Sequence, residues 1–250
     1  MAVGHLGSRA VSLLFRAVPR RFRFRAAVVL GAVTTPVVRH HPFVRNRLRT
    51  RVETAREIVT FHLLEALTHH GVAFDPRLRT AGLEDFEAAL AQERGLLIVG
   101  LHSMLSMLAL RALRDMGKEA TVIAPNPVLI PGTAVVARTI APSFTYLLEV
   151  RRALRENEIV VAMVDRARRP SRTTMAVPTA QGPILIVDAL MQLATRTGTP
   201  ILFSATRLRG REFVITHRAP SPEQSQSPEA VTAAFITFLQ DHVAALTEDA

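Results

Sequence analysis

Residues 95–113 read Gly-Leu-Leu-Ile-Val-Gly-Leu-His-Ser-Met-Leu-Ser-Met-Leu-Ala-Leu-Arg-Ala-Leu. The apolar run Leu96 to Val99 sits between Gly95 and Gly100, short enough for a buried strand and bounded by residues that end one. His102 arrives where the run stops, and a helix-like pattern begins near Ser103. The order is strand, turn, histidine, helix. An open α/β sheet presents a catalytic base in this way, at the carboxyl end of a strand. A structural histidine held near the start of the helix is the competing reading of the same local pattern.

Outward from this stretch, other short apolar runs alternate with helical patterns. Upstream, 52–70 carries Ala55, Ile58, Val59, Leu63, Ala66 and Leu67 at helical spacing and closes at Gly71. Its His62, His69 and His70 lack the partners of a metal site and read as surface or helix-end residues. Leu83 to Arg94 reads as a second helix, with Glu84, Asp85 and Glu87 in its first turn. Downstream, Ala120 to Ala124 reads as a strand and Pro125, Pro127 and Pro131 impose a loop. Thr133 to Ile140 reads as helical, Phe144 to Leu148 as a strand and Arg151 to Asn157 as a helix. Ile159 to Val164 is a clean buried strand that ends in Asp165. Ile184 to Arg196 reads as a helix closed by Gly198, and Pro200 to Thr206 starts a hairpin with Phe213 to His217. A Ser/Pro/Gln-rich linker, 220–228, precedes a final helix from Glu229 to Leu246.

This alternation predicts an α/β fold, a mostly parallel central sheet flanked by helices. His102 and Asp165 then both lie at strand carboxyl ends, where ligands bind in such sheets. At 250 residues the chain suits one large domain with appendages. We divide it into a basic segment 1–51, an α/β domain 52–218, and a linker with a C-terminal helix over 219–250.

The net charge is +10, and Lys118 is the only lysine among 31 basic residues. Such a balance favours polyanions, whether nucleic acid or anionic lipid. One tyrosine and no tryptophan leave few platforms for stacking bases, so no nucleic acid is expected. The first 51 residues hold eleven arginines, and no acidic residue precedes Glu53. Among those arginines lie two apolar pieces, Ala10 to Val18 and Ala26 to Val38. They suit basic amphipathic helices lying in a headgroup layer. No run approaches the roughly 20 apolar residues that cross a bilayer. The absence of cysteine removes disulfides, thiolate zinc sites and a cysteine acyl-enzyme.

The ordered set of these pieces is familiar. Residues 82–102, Gly-Leu-Glu-Asp-Phe-Glu-Ala-Ala-Leu-Ala-Gln-Glu-Arg-Gly-Leu-Leu-Ile-Val-Gly-Leu-His, resemble the segment before the catalytic histidine of the bacterial lipid A biosynthesis acyltransferase family, within the lysophospholipid acyltransferase superfamily. The likeness continues through Val160 to Asp165, Ala176 to Pro178, Gly182-Pro183 and Leu193 to Pro200, spanning roughly residues 50–218. The resemblance implies a glycerolipid acyltransferase-like fold. It also implies transfer of a fatty acyl group from an acyl carrier protein or coenzyme A thioester to a hydroxyl of a lipid or glycolipid. The enzyme would be peripheral to anionic lipid on the cytoplasmic face of the bacterial inner membrane. On this likeness His102 is the base, with no metal and no cofactor beyond the thioester co-substrate. Asp165 joins it at the site. Arg138, Arg166, Met104, Met107 and Gly182 are the expected substrate contacts.

Two departures stand out. The family carries an acidic residue after His and four intervening residues, and here that position is Met107. Pro178-Thr179-Ala180 replaces the family's phenylalanine-rich turn. Asp165 or Asp115 supplies the missing carboxylate, or the reaction uses a weaker base, or the chain is a silent homologue that binds lipid or a partner without catalysis.

Overall fold

The computed structural model describes residues 11–38, 40, 54–103, 106–165, 174–178 and 183–247. A helical segment over 11–17 leads into α1 (Arg20–Val38), followed by α2 (Ala55–His69), β1 (Leu78–Ala81), α3 (Leu83–Leu90) and β2 (Leu96–Gly100). Next come α4 (Met107–Asp115), β3 (Ala120–Ile123), β4 (Val128–Leu129), β5 (Val136–Ile140), α5 (Tyr146–Arg155) and β6 (Ile159–Met163). β7 (Thr174–Val177), β8 (Ile184–Val187), α6 (Ala189–Thr197), β9 (Ile201–Arg209), β10 (Glu212–Arg218) and α7 (Pro228–Thr247) complete the order.

Eight strands form one sheet in the order β1-β10-β9-β2-β6-β3-β5-β4. The five central strands from β9 to β5 run parallel, while β10, β1 and β4 run the other way. β2 lies near the middle, and all five of its residues are buried. A strand covered on both faces has no solvent side to be polar on, which explains its unbroken apolar run. Its alternate side chains serve different layers. Leu97 and Val99 join Val150 and Leu154 of α5, Met191 of α6 and Phe235 of α7. Leu96 and Ile98 join Phe86 of α3 and Leu110 and Leu113 of α4 on the opposite face.

A third cluster ties the N-terminal helices to this framework: Phe15, Phe24 and Val28 pack with Ile58, Phe61 and Leu64 of α2 and with Leu108, Leu208 and Phe213. α1 comes close to α2 at Gly31, where a Cβ would lie 2.4 Å from Thr60 Oγ1. α2 starts in a capping box: Thr54 Oγ1 accepts from the Glu57 backbone N–H and Glu57 Oε2 from the Thr54 backbone N–H. The other oxygen of Glu57 accepts from Arg207 Nε and from the Leu208 backbone N–H, both at 2.8 Å. One carboxylate thus caps α2 and fastens it to β9.

Several local expectations are corrected. The stretch read as a helix over 133–140 is β5 from Val136, paired in parallel with β3; its Val136, Thr139 and Ile140 are β-branched. Phe144 to Leu148, expected as a strand, is a turn that becomes α5 at Tyr146. The helix expected over 184–196 is divided: Ile184–Val187 pairs antiparallel with Thr174–Val177, and only Ala189–Thr197 is helical. α3 stops at Leu90 rather than Arg94, and Glu93 takes a positive φ of 52°. α7, the C-terminal helix, packs Val231, Phe235, Phe238 and Leu239 into the main cluster, an arrangement on which the sequence alone made no statement. Among the described residues no helix is long and apolar enough to cross a membrane.

Candidate active site

β2 and β6 are neighbours in parallel register, with Gly100 opposite Met163. Two more residues along each chain bring His102 and Asp165 side by side beyond the strand ends. Val164 N–H donating to Gly100 O at 3.0 Å carries the ladder to this point. Asp165 Oδ1 then accepts twice, from the His102 backbone N–H at 2.7 Å and from ring Nδ1 at 2.6 Å. An ionised carboxylate only accepts, so this contact places the proton on Nδ1 and the basic lone pair on Nε2. Both side chains are mostly shielded, 20% and 15% exposed, which strengthens the interaction over one in water.

The glycine ahead of the histidine has a steric reason. β9 runs along the other side of β2, and a Cβ on Gly100 would lie 2.8 Å from the Ser204 carbonyl oxygen. After His102 the chain turns tightly: Ser103 N–H donates to Leu101 O at 2.6 Å, and Ser106 Oγ to the same carbonyl at 2.8 Å. α4 then begins at Met107.

His102, Ser103 and Met107 open onto a groove of about 370 Å³. Its far wall is one face of α2, including Phe61, His62, Leu64 and Glu65, and its floor comes from the proline-rich loop around Val128 and Leu129. The lining is more apolar than polar. Met107, at the position where a carboxylate was expected, packs among buried side chains of two clusters and forms part of this wall. The acid beside the histidine is Asp165, from the neighbouring strand. Asp115 lies at the far end of α4, where it accepts from Arg111 Nε at 2.8 Å and takes no part here.

His62 and His69, surface or helix-end residues on the sequence reading, both line the groove, His69 as the exposed last residue of α2. His62 Nδ1 lies 3.2 Å from Glu65 Oε2. The available signal was their spacing: 62, 65 and 69 fall on one side of a helix.

Arg138 is elsewhere. It lies in β5, paired with Glu158 and 66% exposed, beside a recess at the strands' amino-terminal ends with Lys118 and Asn157. It is therefore not a contact of the His102 groove, because the sheet separates that recess from the strand ends carrying His102 and Asp165. Met104, Arg166 and Gly182 lie outside the described residues.

Two other imidazoles are held neutral by their surroundings. His217, on β10, is stacked on Phe86 and pushed down to about 4, mainly by burial. His242 is pushed down to about 3, by burial and then by Arg207 and Arg209. It borders a small recess behind Ser103 and Ser106. Among the described residues no cluster of three or more histidines and carboxylates is placed to hold a metal ion. In comparisons with protein-family models and with curated proteins, the chain matches none.

Proposed function

We propose that the chain is a membrane-associated acyltransferase that moves a fatty acyl group from an acyl thioester to a hydroxyl of a lipid or glycolipid. The observation that carries this reading is the His102–Asp165 pair at the exit of two central strands, opening onto a mostly apolar groove. In the proposed reaction Nε2 removes the acceptor hydroxyl proton as the oxygen attacks the thioester carbonyl. Asp165 steadies the imidazolium that forms. The tetrahedral intermediate collapses with loss of the thiolate, which takes the proton from Nε2. The ester bond forms, the thioester bond breaks, and the histidine returns to its starting state. No covalent enzyme intermediate is required.

The resemblance of residues 82–102 and the later segments to the lipid A biosynthesis acyltransferase family supports the same chemistry. The N-terminal helices support a membrane setting. α1 buries Phe24, Ala27 and Val28, while Val29, Val33 and Val37, spaced four apart, are 47%, 68% and 80% exposed. Leu13 and Leu14, in the helical segment that precedes α1, are also exposed, and arginines follow closely in the chain. An apolar strip on an arginine-rich segment suits an anionic headgroup layer, on this reading the cytoplasmic face of a bacterial inner membrane.

The test is release of the carrier from acyl carrier protein and coenzyme A thioesters, with membrane lipid as acceptor. Loss of general-base catalysis in His102→Ala should lower turnover by on the order of 10² to 10⁴. Met107→Glu should not raise it, because Asp165 already occupies Nδ1. A silent native chain that Met107→Glu awakens would favour the alternative, a lipid-binding homologue without catalysis.

A further inference from the structure

The exposed side of α5 carries a pattern that neither the core nor the His102 groove uses. Phe144, in the turn just before the helix, is fully exposed, and Leu148 is 65% exposed. Arg151, Arg152 and Arg155 are exposed on the same helix. Positions 144, 148, 151, 152 and 155 follow the helical repeat and make one stripe, apolar at its start and cationic towards its end. Val150, Ala153 and Leu154, on the opposite side, fix α5 to the core and hold the stripe outward. Arg152 is paired with Glu156 at 2.9 Å. The guanidinium groups of Arg151 and Arg155 have no hydrogen-bond or ion-pair partner among the described residues. Glu149 lies to one side of the stripe and accepts from Thr145 Oγ1.

We propose that this stripe docks an acidic protein helix, that of the carrier which delivers the acyl thioester. Resting on the acyltransferase reading, the inference names the donor of that reaction as a protein. Charge complementarity selects the partner's chemistry: aromatic and arginine side chains anchor protein interfaces, and unpaired cations steer an acidic partner. Position supports it as well. Phe144 follows the carboxyl end of β5, on the same sheet edge as His102 and Asp165. β5 is two strands from β6, roughly 10 Å at ordinary strand spacing, within reach of a thioester on a flexible arm. A flat bilayer fits less well. The apolar strip of α1 lies on helices clustered with Leu108 and Phe213, whereas α5 covers the other face of the sheet.

The experiment uses the full chain and two double variants, Phe144→Ser with Leu148→Ser, and Arg151→Glu with Arg155→Glu. Direct titration measures binding of acylated acyl carrier protein; kinetics compare carrier and coenzyme A thioesters; sedimentation measures binding to anionic phosphatidylglycerol vesicles. Each variant should weaken carrier binding and raise its KM about tenfold or more, the loss expected for an interface anchor, and leave the coenzyme A KM unchanged. Native binding should weaken with salt. Carrier binding that the variants abolish, without turnover on any donor, would uphold the surface and refute the acyltransferase reading. The proposal is overturned if the native chain does not bind the carrier, if the variants bind it equally well, or if they lose vesicle binding alone.

Discussion

Replacing Asp165 by Asn is the sharpest test of the His102 geometry. The Asn oxygen can still accept the His102 backbone N–H that now lies 2.7 Å from Oδ1, so the turn after β2 should hold its shape. Two things change at the ring. The negative charge 2.6 Å from Nδ1 disappears, and an amide that can also donate stands where only an acceptor stood. With the imidazolium and carboxylate charge centres about 4 Å apart and an effective dielectric near 20, the lost attraction is about 4 kcal/mol. At about 1.4 kcal/mol per decade, that is roughly a thousandfold in rate. A tautomer with the proton on Nε2 would add to it, and the equivalent exchange in a serine protease triad costs on the order of 10⁴. The assay is steady-state thioester release with saturating acceptor, and the loss should appear in kcat with KM nearly unchanged. Circular dichroism and the unfolding midpoint should match the native chain. A fall of less than tenfold, with the fold intact, would refute the claim that Asp165 orients and charges this histidine.

Two further expectations concern stability. His217 has a folded value near 4 against 6.5 for the free side chain, so between these values the unfolded chain binds more protons. Stability is complete above about pH 6.5 and falls as pH drops towards 4, by roughly 3 kcal/mol from this group. His217→Phe should flatten that part of a urea-midpoint profile, and an unchanged profile would contradict the assignment. Glu57→Ala leaves the Thr54 half of the α2 capping box but removes the carboxylate that holds Arg207, whose side chain is 7% exposed. A loss of about 3–5 kcal/mol in denaturant unfolding is expected, and a loss below about 1 kcal/mol would mean the pair is not a fastener.

The parts of this protein that were legible in its sequence share a physical property: their structure is set within a few residues. Leu96 to Val99 and Ile159 to Val164 are short apolar runs between breakers, so their strands, and the polar residue after each, could be read without knowing a neighbour. Ala55–His69 carries apolar residues at helical spacing and is closed by Gly71. The misread segments are those where local preference is weak and pairing decides. Ile184–Val187 could continue a helix by pattern, but finds Thr174–Val177 as an antiparallel partner. Val136–Ile140 is likewise a strand because β3 lies beside it.

The site divides along the same line. The sequence by itself determined that His102 and Asp165 each follow a buried strand, and that Met107 stands where the resemblance calls for a carboxylate. It left open which acid meets the histidine. Tertiary structure decided that, by setting β6 directly against β2, so that residues 63 apart in the chain come within 2.6 Å. It also placed α2 across the strand ends, bringing His62 and Glu65 into the groove, and left Arg138 at the sheet's other edge. Periodicity records which face of an element is apolar. The partner that covers that face is chosen by long-range packing, which no local pattern contains.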